Sequence, residues 1–207
     1  DAASDQADYA TMGQTWSMPT VAYIDNTVAS YSTARRPNPD GPDFVLFVGS
    51  GYGSTPSEGT TLYTLDALSG DVIGAANVET VASAYNLTRG ASVPYPNAIV
   101  ANPVGFNYAN FVIGKTVHPA QNKVTRVYVG DLHGRLWKML SAQPNTVIPV
   151  ADLGADQPVG VAASLLGLPH TENPALPPPA GQVPYIFVTT GADSRASGPF
   201  RIFAFRD

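Results

Sequence analysis

Short apolar runs broken by turn residues dominate the chain, and apolar positions spaced three and four apart are scarce, which predicts strands in place of amphipathic helices. One arrangement of these runs occurs three times: an extended apolar run, a strong apolar strand ending in Gly or Asp or near one, a short turn, and an aromatic-containing strand. The first copy comprises Pro19–Ile24, Phe44–Gly49, Leu62–Asp66 and Asp71–Ile73. The second comprises Asn97–Ala101, Arg126–Asp131, Arg135–Met139 and Val147–Val150. The third has Val159–Ala163, Pro184–Thr189 and Arg201–Phe205, and its fourth run is missing.

Four short strands per unit match a propeller blade, a four-stranded antiparallel sheet packed radially around an axis. The expected fold is therefore all-β: a partial β-propeller of about three four-stranded antiparallel blades. Residues 1–12 read as an N-terminal extension and 13–207 as the propeller portion, with blades near 13–80, 94–153 and 157–207. Propellers close with roughly four to eight blades, so three call for the remainder of the propeller or for another propeller chain. Residues 35–42, 50–59, 102–122 and 168–183 read as surface loops, the last carrying the stiff run Pro177–Pro179. Thr80–Leu87 is a brief helical pattern.

Composition narrows the class. Charged residues make up 13%, while Gly and Pro number 19 each, a turn-rich makeup suited to β structure. There is no cysteine, which excludes disulfides, thiolate metal sites and cysteine nucleophiles. Eleven Lys and Arg against 16 Asp and Glu leave a net charge of −5, so no basic stripe is expected and nucleic acid is not an expected partner. No stretch reaches the about 20 apolar residues of a transmembrane helix. The opening Asp1-Ala2-Ala3-Ser4-Asp5 lacks a signal segment, and the chain reads as processed or excised.

Two resemblances emerge from the repeats. Leu62-Tyr63-Thr64-Leu65-Asp66-Ala67-Leu68-Ser69-Gly70-Asp71-Val72-Ile73 resembles the hairpin repeat of quinoprotein (PQQ-like) propellers. A closer resemblance is to the C-terminal propeller of the PilY-type proteins, factors of type IV pilus biogenesis, adhesion and tip function. Tyr128-Val129-Gly130-Asp131-Leu132-His133-Gly134-Arg135-Leu136-Trp137-Lys138 resembles that family's most recognisable run. Gly13–Pro19, Phe47–Ser54 and Phe187–Asp193 resemble its flanking segments in the same order. The family often carries an Asp-rich calcium loop before the central run. Here Ala98–Lys123 contains no Asp or Glu, whereas calcium takes several hard, preferably anionic oxygens, so no cofactor and no metal site are expected.

Candidate sites divide between structure and recognition. Asp66 with Gly70, and Asp131 with Gly134, read as turn formers, because Asp side chains accept nearby backbone N–H groups and Gly supplies a left-handed backbone. Asp193 invites the same reading. Trp137 alternates with Leu136 and Met139 and reads as blade packing, while Trp16 is less constrained and suits a flat ligand or a partner. Tyr52, Tyr85, Tyr95, Tyr108 and Tyr185 join Trp16 as candidate aromatic anchors for a partner. His118, His133 and His170 lie in different segments, without the short spacing of a shared metal site. No Gly-x-Ser-x-Gly elbow, HExxH helix or phosphate loop occurs. Asn86-Leu87-Thr88 fits a glycosylation triplet that chance explains.

The resemblance implies a non-enzymatic extracellular or cell-surface module for assembly, capping or adhesion of a filament, with pilus subunits as partners. The alternatives are a fragment of a PQQ-dependent dehydrogenase, suggested by the Leu62–Asp66 hairpin, and a periplasmic or outer-membrane propeller scaffold.

Overall fold

The computed structural model describes residues 3–24, 43–53, 55, 57–84, 98–107, 111–113, 116–118, 123–154, 156–169, 182–191 and 198–207. The chain is all-β, with three antiparallel sheets of three or four strands and one small hairpin among the described residues. Sheet 1 is a meander of β1 (Thr20–Ile24), β2 (Asp43–Gly49), β3 (Thr61–Asp66) and β4 (Val72–Asn77). The helix α1 (Ala3–Asp8) precedes it and α2 (Val78–Ala84) follows it.

Sheet 2 repeats that meander with β5 (Val104–Phe106), β8 (Arg126–Gly130), β9 (Arg135–Leu140) and β10 (Val147–Asp152). The hairpin β6 (Phe111–Ile113) and β7 (Thr116–His118) is inserted between its first two strands, inside a segment that reads as loop in the sequence. Sheet 3 contains β11 (Ser164–Pro169), β12 (Gln182–Thr189) and β13 (Ile202–Arg206). Residues 25–42, 85–97, 170–181 and 192–197 fall outside the described set. They contain the loop Arg35–Pro42, the Pro177–Pro179 run, Asn86-Leu87-Thr88, Tyr85, Tyr95, His170 and Asp193, and Tyr108 is also outside it.

The period-2 pattern sorts side chains to two faces of each sheet. Ala22, Ile24, Val45, Phe47 and Leu62 of sheet 1 meet Val127, Val129, Trp137, Met139 and Val147 of sheet 2 in one core, with Val78 and Ala82 of α2 at its side. Phe106, Tyr128 and Leu136 on the opposite face of sheet 2 meet Leu165, Ile186, Val188, Phe203 and Phe205 of sheet 3. The middle sheet is thus buried on both faces, which is why β8 and β9 read as nearly unbroken apolar runs. Each large side chain placed in these layers contributes about 1.5–3 kcal/mol by leaving water. Pro149, which cannot donate to a ladder, sits on edge strand β10 beside a register shift.

The far face of sheet 1 is partly covered by the N-terminal extension: Tyr9 and Met12 pack against Val48, Tyr63 and Val72. The Tyr9 and Tyr63 ring centroids lie 5.5 Å apart, and Thr11 hydrogen-bonds the Tyr63 hydroxyl at 2.6 Å. Burial of that hydroxyl raises its pKa against the opposing pull of Thr11.

Two strand expectations are corrected. Asn97–Ala101 and Val159–Ala163 are not the first strands of their sheets; those strands begin later, at Val104 and Ser164. The apolar residues Ala98, Ile99 and Val159 are fully buried, but their backbones bond to turns of two neighbouring sheets instead of to one strand. Ile99 donates to Gly59 O at 3.0 Å and accepts from Gly51 N at 2.9 Å, while Ala98 O accepts from Leu132 N at 3.1 Å. Likewise Val159 N donates to Asp131 O and Pro158 O accepts from Gly191 N, both at 2.9 Å. Each lead-in segment therefore stitches the β2–β3-type turn of one sheet to that of the next.

Candidate functional site

Three lead-in segments, residues 13–19 before β1, 98–103 before β5 and 158–163 before β11, converge at one end of the stack. Trp16 and Met18 come from the first, Val100 and Asn102 from the second, and Gly160, Val161 and Ala162 from the third; with Tyr52 they line a cavity of about 520 Å³. The backbone of the first segment is pinned by Gln14, which exchanges hydrogen bonds with Tyr52 at 2.6 and 3.0 Å. Ser17 Oγ accepts from Gly49 N at 3.0 Å, and the Thr15 hydroxyl donates to Gly49 O at 2.8 Å. Asn102 Oδ1 accepts the Met18 N–H at 2.7 Å, which fixes the first two lead-ins to each other. On this rigid backbone the Trp16 side chain stands 72% exposed.

Sequence reading names Trp16 and Tyr52 among six candidate anchors, and the structure places these two at the same concavity. Met18, Asn102 and Gly160–Ala162 were not foreseen there. Nothing in their spacing marks them, because they come together only through the convergence of three segments distant in sequence. Tyr185 lies elsewhere. It is half-buried on β12, opposite Leu166 and Arg206, on the face of sheet 3 turned away from sheet 2.

The turn of β8 and β9 forms a second, sealed constellation. Asp131 Oδ1 accepts from His133 N at 2.9 Å and Arg135 N at 3.1 Å. Its Oδ2 accepts from Trp137 Nε1 at 2.8 Å and lies 3.0 Å from Arg135 Nε. The guanidinium sits 5.5 Å from the centre of the Trp137 ring. Asp131, Arg135 and Trp137 are wholly buried, so this Trp has no face for a ligand. Two terminal nitrogens of Arg135 have no hydrogen-bond partner. The equivalent turn in sheet 1 is simpler: Asp66 Oδ1 accepts from Leu68 N and Ser69 N, both at 2.8 Å, and Gly70 follows with φ of 80°.

Between sheets 2 and 3, Asp207 gathers three partners: the Tyr128 hydroxyl at 2.7 Å, Lys138 Nζ, and Arg126 Nη1 at 3.7 Å. Burial works to raise the Asp207 pKa, but hydrogen bonds from Lys138 and Tyr128 and the nearby positive charges outweigh it and hold it below 3.8. Burial, reinforced by that carboxylate, pushes the Tyr128 hydroxyl far up.

His133 is buried in the β8–β9 turn, His118 lies on β7, and His170 is outside the described residues. Among the described residues no group of three or more His, Cys, Asp or Glu side chains is placed to hold a metal ion, and no helix is long and apolar enough to cross a membrane. The fold and its surfaces thus define an all-β protein of stacked antiparallel sheets with a cavity, where the lead-ins meet, whose described lining residues carry no charge. No family model, no curated protein and no solved structure matches the chain.

Proposed function

We propose that the three sheets are consecutive blades of a β-propeller of the PilY type, serving as a non-enzymatic extracellular or cell-surface module in assembly, capping or adhesion of a filament. The observation that carries the propeller reading is the repetition of one relation. Sheet 1 packs on sheet 2, and sheet 2 on sheet 3, through alternate faces, and the same lead-in stitching joins each pair of turns. Carried one step further, the relation sets another sheet on the free face of sheet 3, supplied by the remainder of the propeller or by another propeller chain.

The filament reading rests on the motif resemblance around Tyr128–Lys138 and on aromatic side chains presented on a rigid scaffold. Trp16 with Tyr52 at one end of the stack, and Tyr185 on the free face, are anchors of the kind that concentrate binding energy in interfaces.

Native mass spectrometry of the full chain mixed with purified type IV pilus subunits tests the proposal. The expected result is a complex of defined stoichiometry, weakened at least about tenfold by Trp16→Ala or Tyr185→Ala. Absence of any complex, together with alcohol oxidation on addition of PQQ and calcium, would overturn it in favour of a quinoprotein enzyme.

A further inference from the structure

We infer that the cavity between the three lead-in segments is a binding site for a neutral oligosaccharide. The inference does not depend on the filament or on closure of a ring, since every residue it uses lies within the described chain.

Four observations point to this class of ligand. The cavity, about 520 Å³, lies within the range of small-molecule sites, roughly 300–1,000 Å³, and is large enough for more than one sugar ring. Trp16 is 72% exposed at its rim, against the usual tendency of so large an apolar ring to be covered. An aromatic face held open in this way offers the flat apolar surface on which the C–H face of a pyranose stacks, and Tyr52 also lines the cavity.

The lining includes an amide, that of Asn102. Its Oδ1 is engaged by the Met18 N–H, which fixes the orientation of the side chain and commits Nδ2 to the role of donor, since a primary amide carries two N–H groups. A sugar hydroxyl is a suitable acceptor. Gly160 leaves backbone close to the cavity without a side chain over it.

Charge decides among flat ligands. None of the eight described residues that line the cavity carries a charge at neutral pH. A tricarboxylate such as PQQ, or a sialylated glycan, would bring anionic groups to a wall that has no cation among its described residues, and desolvating an unpaired charge is costly. A purely apolar ligand would cover the half-buried Asn102 amide without answering its N–H donor, an unfavourable desolvation. A neutral polyol with an apolar ring face meets both conditions.

Trp16 is its own reporter, because the other tryptophan, Trp137, is wholly buried. Iodide quenching of the full chain, titrated with cellotetraose, maltotetraose and chitotetraose, reads occupancy of the site directly. The expected result is saturable protection of the exposed tryptophan by at least one of the three, with no protection by sialyllactose or by PQQ. By calorimetry, Trp16→Ala weakens that binding at least about tenfold and Trp16→Phe restores part of it, while both variants keep the wild-type circular dichroism spectrum. The inference fails if none of the three protects Trp16, if PQQ, sialyllactose or an apolar peptide protects it instead, or if Trp16→Ala binds the sugar as the parent does.

Discussion

Asp131 concentrates more of the stability than its place in a turn implies. Replacing it with Ala removes the acceptor of two backbone N–H groups and of Trp137 Nε1, and strands the wholly buried Arg135 guanidinium. The expected loss is about 3–5 kcal/mol in urea unfolding, the cost of breaking one side of a buried ion pair. Arg135→Met should cost clearly less, since Asp131 keeps those three donors while a cation with unpartnered terminal nitrogens is removed. Equal losses would refute this asymmetry. The turn role of Asp131 was legible from Gly130-Asp131-Leu132-His133-Gly134, but the burial of Arg135 was not, because an Arg in a strand reads as a solvated position until the neighbouring sheet covers it. Asp207 carries a pH-dependent share. Its folded pKa is depressed below 3.8 by Lys138, Tyr128 and Arg126 despite burial, so its contribution is present above the unfolded value and lost as pH falls through the folded one. Asp207→Asn should therefore be less stable than the parent at about pH 6, with the gap closing as pH falls below about 4. A gap in urea midpoints that persists at low pH would contradict this.

At the scale of elements, the turns that look alike in sequence differ in what surrounds them. Gly70 and Gly134 both follow an Asp and both have positive φ, 80° and 77°. A Cβ on Gly70 would meet nothing within 4 Å, whereas one on Gly134 would lie 2.2 Å from Gly154 O and 2.8 Å from Gln157 O. Gly70→Ala should cost only the left-handed backbone, about 1–2 kcal/mol. Gly134→Ala adds a clash with the backbone of the segment leading to sheet 3, and thermal unfolding should show a distinctly larger drop in Tm. Similar shifts would mean that the Gly154–Gln157 segment yields freely. The strands themselves were legible wherever alternation and turn residues coincide, as in β2, β3, β8, β9 and β12. The lead-ins misled because extended, buried apolar backbone looks like a strand whether its N–H groups meet one neighbour in a ladder or two turns in succession.

The repeat that is legible in the sequence says how many sheets to expect, but not which face of each meets the next; that follows only from where the apolar side chains end up. On sheet 3 the alternation is plain. Leu165, Ile186, Val188, Phe203 and Phe205 turn to sheet 2, while Leu166, Phe187 and Ile202 stand exposed on the opposite face, Ile202 at 76%. Apolar residues gathered on one sheet face mark a surface that another protein element covers, and here the obvious template is the way sheets 1 and 2 are themselves covered. Left alone, the chain should self-associate through this face as its concentration rises. The double substitution Leu166→Thr and Ile202→Thr should abolish that association in sedimentation velocity while changing unfolding stability by no more than about 0.5 kcal/mol, as for surface positions. Ile186→Thr, one residue from Phe187 but on the buried face, should instead cost several times as much, because it trades packed surface for an unpaired hydroxyl. If the double variant associates as the parent does, the free face is not the adhesive one, and the contact would have to be sought on the partly covered side of sheet 1, where Val21 and Phe44 are also exposed.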